Sequence, residues 1–151
     1  MLIQPCTKRG ATRWLVGLSA GLIVALTQLP SLTVHSQQAK TAKEGVYTEA
    51  QASRGEGLYG QQCAGCHASD LSGSGAPALA GADFFSSWDQ MSVADLVEKI
   101  STSMPSSSPG SLTRVQAADL VAFILKSNKF PAGPAELDSD VAALKLINIV
   151  K

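Results

Sequence analysis

The chain predicts an all-α domain, and three observations carry that reading. Apolar residues recur at helical spacing in two stretches: Val93, Leu96, Val97 and Ile100, then Val115, Ala118, Leu120, Val121, Ile124 and Leu125. Each stretch opens on a hydroxyl side chain able to cap a helix, Ser92 or Thr113. No convincing run alternates polar and apolar residues or gathers β-branched ones, so no strand is expected.

The elements follow in chain order. Lys8, Arg9 and Arg13 precede "WLVGLSAGLIVALTQL", an uncharged run of 16 residues, after which come Pro30 and the polar "HSQQAK". A basic start, an apolar middle and a small-residue exit form the pattern of a secretory signal peptide. The run falls short of the ~20 residues a membrane-spanning helix needs. Residues 1–36 are therefore read as a signal peptide, cut near Ser36, and the mature chain as periplasmic. The alternative is an uncleaved anchor in the inner membrane, and only then would the membrane be a partner. Residues 37–47 are read as a flexible linker and 48–135 as the folded domain. Its helices are expected at about Thr48–Gln62, Ser92–Ser103 and Arg114–Ser127, with a short one near "ADFFSSW". A Gly/Ser/Ala-rich loop covers Ser69–Ala82, and Pro131 and Pro134 stop the last helix. In the tail, residues 136–151, Asp138 or Asp140 could cap a short helix containing Val141, Leu144 and Ile147.

Removing residues 1–36 leaves nine basic and twelve acidic side chains, a net charge of −3. Nucleic acid demands a basic face, and this balance argues against it. The lone Asp and Glu residues read as ordinary solvated charges. Cys6 and His35 leave with the signal. The exported chain then holds two cysteines and one histidine, all in "CAGCH": Cys63, Cys66 and His67.

Three chemistries use closely spaced Cys and His. Structural zinc asks for four ligands, and no second cluster supplies the rest. A thioredoxin-type dithiol follows a strand in a βαβ unit, whereas "TEAQASRGEGLYGQQ" before Cys63 reads as a helix. A plain disulfide leaves the adjacent histidine unexplained. Covalent haem attachment needs this spacing: two thiols on one turn reach the two vinyl groups on one edge of the macrocycle. The next residue, His67, then supplies the proximal iron ligand. One covalently attached haem c, with its iron, is the expected cofactor.

No second histidine remains for the other face of the iron, which leaves Met91 and Met104. Met91 lies just ahead of an amphipathic helix and reads as core filler. Met104 opens the loop "MPSSSPGSL", where the Met-Pro step ends the helix and holds the backbone extended. It is the expected distal ligand, the competing reading being a buried loop methionine.

"GEGLYGQQCAGCH", "GAPALAG" and "ISTSMPSSSPGSLT…DLVAFIL", in this order, resemble the class I monohaem cytochromes c over residues 48–130. The resemblance implies a cytochrome c-like fold, three or more helices around one covalently bound haem. It implies that Gly55 and Tyr59 sit where the first helix crosses the last, with Phe123 packed into the crossing. Pro77 is implied as the residue whose carbonyl accepts the Nδ1 proton of His67. Leu79 would press on the haem, and Trp88 resembles aromatics that cover a propionate. "DLSGSGAPALAGADFF" and "NKFPAGPAEL" are similar to small cytochromes that accompany PQQ-dependent dehydrogenases.

With one haem, two protein ligands and no spare histidine, the expected function is single-electron transfer in a respiratory chain rather than catalysis. Redox proteins are the expected partners: a PQQ-dependent or other periplasmic dehydrogenase as donor, an oxidase or another cytochrome as acceptor. The alternative is a haem enzyme or small-ligand sensor in which Met104 dissociates from the iron.

Overall fold

The computed structural model describes residues 40–151. The signal segment at 1–36 and the first residues of the expected linker lie outside the described residues.

Three helices form the frame. Helix α1, Glu49–Gln62, starts where the Thr48 hydroxyl accepts the Gln51 N–H at 3.1 Å. A single turn, α2, Ala64–His67, follows directly. Helix α3 is Gly81–Trp88, and α4 is Val93–Ser103. At the start of α4 the Ser92 hydroxyl accepts from Asp95 N–H (3.2 Å) while the Asp95 carboxylate accepts from Ser92 N–H (3.0 Å). This reciprocal box satisfies two donors the first turn would otherwise leave open. Thr113 and Gln116 build the same box for α5, Arg114–Ser127.

Helix α5 is the centre of the core. Every residue from Ala117 to Leu125 is buried, with α1 packed against it on one side and α4 on another. The α1–α5 approach depends on Gly55. A Cβ there would lie 1.9 Å from the Asp119 carbonyl oxygen, so only a residue without one lets the backbones meet. Beside it the Tyr59 and Phe123 rings pack at 5.2 Å between centroids, tilted by 50°. Val115, expected on an apolar face of α5, is 58% exposed instead, because it belongs to the first turn before the helix enters the core. Met91 is not core filler either, at 41% exposed on the turn ahead of α4.

Residues 40–47 correct the expectation of a flexible linker. Strand β1, Lys40–Thr41, pairs in parallel with β2, Ile147–Asn148. A 3₁₀ turn at Ala42–Glu44 follows, with Ala42 fully buried. Tyr47 is buried, and its hydroxyl donates to the Phe130 carbonyl at 2.6 Å. The two-residue strands are a small addition to a helical fold. The tail returns onto the domain through α6, Val141–Leu144, capped by Asp140, and through buried Leu144 and Ile149. Gln90 N–H donates to the Ile149 carbonyl (2.7 Å) and Ile149 N–H to the Met91 carbonyl (2.9 Å).

Two polar side chains are buried: Gln51, and Asp119, which the sequence alone puts among the ordinary solvated charges. Gln51 exchanges two hydrogen bonds with the Leu137 backbone, at 2.9 and 2.6 Å. Asp119 accepts a fork from Arg54 at 3.1 and 3.0 Å, and Arg54 also reaches Glu136 at 2.8 and 3.0 Å. This triad fastens residues 136 and 137 across α1 and α5. No helix among the described residues is long and apolar enough to cross a membrane.

Candidate functional site

One cavity, about 530 Å³, opens between α2, the loop that follows it, α4 and α5. That volume lies within the roughly 300–1,000 Å³ typical of cofactor and ligand sites. Its wall is mostly apolar, with Tyr59, Leu79, Trp88, Leu96, Ile100, Leu120 and Ile124 contributing. The same wall carries Cys63, Cys66, His67, Pro77 and Met104. Every site residue expected from the sequence therefore meets at one cavity.

Local geometry explains how they converge. Cys63 ends α1, its N–H donating to the Tyr59 carbonyl at 2.9 Å, and its own carbonyl accepts from Cys66 N–H (3.1 Å) and His67 N–H (2.9 Å). The two thiols and the imidazole thus belong to one tight turn. Burial pushes the pKa of the Cys63 thiol up. The loop then doubles back. The Cys66 carbonyl faces the N–H groups of Ser74, Gly75 and Ala76 at 3.0–3.2 Å, and Leu79 N–H donates to the Leu71 carbonyl at 2.8 Å. Gly73 has φ +81°, and a Cβ there would lie 2.6 Å from the Ala76 carbonyl oxygen. The Tyr59 hydroxyl donates to the Ala68 carbonyl at 2.6 Å, and burial pushes its pKa up to about 12.

This doubling back brings the Pro77 carbonyl to 2.7 Å from His67 Nδ1. A carbonyl only accepts, so Nδ1 carries the proton and Nε2 keeps its lone pair. On the wall of the same cavity, Met104 caps the C-terminus of α4 with extended backbone, φ −120° and ψ 153°. Its N–H donates to the Ile100 carbonyl at 3.1 Å, and the following Pro105 cannot continue the helix.

The donor set fits a c-type haem. It offers two thiols on one turn, an imidazole of fixed tautomer, a thioether and an apolar wall. Zinc finds no such support, since among the described residues no three His, Cys, Asp or Glu side chains form a metal-binding group. Two residues near the site were not picked out by the sequence reading. Lys99 is the one charged side chain among those lining the cavity, and its neighbours Leu96 and Ile100 on the same face could have flagged it. Asn128, just past α5, hydrogen-bonds the loop holding Leu79; a polar residue at a helix end gives no hint of a partner 49 positions away.

Comparison with known proteins bears on the same segment. Residues 50–124 match the family model for subunit III of cbb3-type cytochrome c oxidase. Neither the curated proteins nor the solved structures give a match. The match covers α1 through most of α5 and takes in Cys63, Cys66, His67 and Met104. The match over residues 50–124 supports a monohaem cytochrome c domain, a kind of electron-transfer haem protein, and indicates covalently bound haem c with its iron as the cofactor.

Proposed function

We propose that this chain is an exported electron carrier whose haem is held by Cys63 and Cys66 and ligated by His67 and Met104. The observation that carries this reading is the 2.7 Å contact between His67 Nδ1 and the Pro77 carbonyl, on a wall that also holds Met104. Haem supplies a one-electron ferric/ferrous couple, and a His/Met pair raises its potential. The chain's own residues do the rest. Cys63 and Cys66 fix the cofactor's position through thioethers. The Pro77 carbonyl orients the His67 ring and makes it a better donor. Met104 would offer its thioether to the iron as the second protein ligand and so compete with water and small ligands. Leu79, Leu96, Ile100, Leu120 and Ile124 would keep the site dry, and Trp88 would cover part of the bound group from the same wall.

Residues 1–36 direct the chain to the periplasm as a cleaved signal, residues 1–36 as a retained anchor being the competing form. The donor is a periplasmic dehydrogenase of the PQQ-dependent kind, and an oxidase or another cytochrome accepts the electron in a respiratory chain. Support for the donor comes from the "DLSGSGAPALAGADFF" and "NKFPAGPAEL" stretches, and support for export from the basic-apolar N-terminus. The test is stopped-flow reduction of the matured protein by a reconstituted PQQ-dependent dehydrogenase. Reduction within milliseconds to seconds supports this donor. No reduction, in a protein that dithionite reduces normally, removes it.

A further inference from the structure

The His67–Pro77 contact is only as fixed as the loop that carries Pro77. Pro77 is exposed; the residues before it are tied to the cysteine-bearing turn, Gly73 N–H to the His67 carbonyl (2.9 Å) and Ser74, Gly75 and Ala76 N–H to the Cys66 carbonyl, whereas Pro77 itself has no N–H to donate. Beyond Pro77, Leu79 and Ala80 pack against the core, and one side chain hydrogen-bonds the backbone there. Asn128 Nδ2 donates to the Leu79 carbonyl at 2.9 Å, and Asn128 Oδ1 accepts the Gly81 N–H at 3.0 Å. Nδ2 also donates to the Ile124 carbonyl at 2.9 Å, which ties the amide to the last turn of α5. The orientation is determined: a flipped amide would set its oxygen against two carbonyls and its NH₂ against an N–H. On the near end, Leu79 N–H is bonded to the Leu71 carbonyl at 2.8 Å. Residues 77–81 are therefore stretched between the haem-motif loop and α5, with Asn128 as their attachment to the core helix.

We infer that Asn128 is a positioning residue for the proximal side of the site: it holds Leu79 and Gly81 against α5 and so keeps the Pro77 carbonyl on His67 Nδ1. The inference rests on the reading of His67 as the proximal ligand for its effect on potential, but not for its effect on the Nδ1 proton. Two roles can be told apart by sign. A carbonyl on Nδ1–H makes imidazole a stronger donor and favours ferric iron, so weakening that bond raises the potential. Loosening that merely admitted water would favour the charged ferric state and lower it. An ordinary helix cap would cost stability and move neither the proton nor the potential.

The experiment compares the matured wild-type protein with Asn128→Ala and Asn128→Asp. Asp keeps an acceptor for Gly81 N–H but loses both Nδ2 donations, and it serves should the Ala variant fail to mature. Solvent exchange of the His67 Nδ1 proton is followed by NMR in the diamagnetic reduced state, and the potential by spectroelectrochemistry. Both variants should exchange that proton at least tenfold faster than wild type. The ferric/ferrous equilibrium should move at least threefold toward ferrous iron, about 28 mV at 59 mV per tenfold. An unchanged exchange rate in either matured variant overturns the inference, whatever happens to the melting temperature. Faster exchange with a lowered potential overturns the donor-strength part and leaves Asn128 as a seal against water. Were the wild-type spectrum to show that His67 is not the ligand, the proton exchange would still read the clamp.

Discussion

At the level of single residues, the proposed haem site would depend on four side chains whose chemistry cannot be exchanged. His67 has one nitrogen committed to Pro77, which leaves the other for a metal. Met104 supplies a soft thioether from a backbone that Pro105 prevents from coiling further. Replacing Met104 with Ala should lower the reduction potential markedly and let carbon monoxide bind the ferrous protein; an unchanged potential would remove Met104 from the iron. Cys63→Ser and Cys66→Ser should each block normal maturation, read as loss of the covalent haem band on a denaturing gel. A stable fold lacking haem in the double variant would speak against the whole assignment, because the apolar cavity between α4 and α5 would then need no filling. These residues were legible in the sequence because their signal is local: three positions of spacing, a neighbouring histidine, a Met-Pro step. Lys99 had a local signal too, in Leu96 and Ile100 on its own face, but Asn128 had none, since its meaning comes from what distant chain brings beside it.

Among the elements, the helices declared themselves through their ends as much as through their faces. Thr48, Ser92 and Thr113 each accept a backbone N–H three residues on, and a cap of this kind is written within four consecutive residues. The interior of α5 was less readable, because it is buried over Ala117–Leu125 and presents no clean stripe, which is how Val115 came to be placed on the wrong side. The pairing of β1 with β2 was invisible for another reason. Two residues per strand give no alternation, and the partners stand more than a hundred positions apart. The contact between α1 and α5 supplies a sharp test. Gly55→Ala should cost about 3 kcal/mol, the upper end of overpacking, since the obstructing atom is backbone. Gly57→Ala and Gly60→Ala, with open space around the added methyl, should instead stabilise by about 0.5–1 kcal/mol. Urea unfolding of the three variants checks both signs at once.

Taken together, the described residues form a small helical domain whose first and last segments, β1 and the tail, pair with each other. The tail crosses back to β1 and to the turn before α4, and Arg54 grips Asp119 and Glu136 so that residue 137 stays on Gln51. Arg54 holds the Glu136 carboxyl below its ordinary range, chiefly through their hydrogen bonds. A lowered carboxyl pKa adds stability above its ordinary value, and that part is lost as pH falls through the lowered one. The difference in melting temperature between wild type and Arg54→Met should therefore narrow below about pH 4. A constant difference would mean that the Glu136 partnership contributes nothing. The described surface has no dense lysine ring, so docking around the cysteine-bearing edge should be largely apolar and only weakly salt-dependent. A rate of electron transfer that fell by orders of magnitude on adding salt would contradict that.

The central claim is that His67 and Met104 share one iron in this cavity, and the most direct measurement is the visible and near-infrared spectrum of the matured protein in both oxidation states. With both ligands on the iron, the reduced protein should give a sharp low-spin c-type spectrum and the oxidised protein the weak thioether-to-ferric charge-transfer band. A high-spin spectrum that shifts on adding carbon monoxide would contradict it and show an iron open to small ligands.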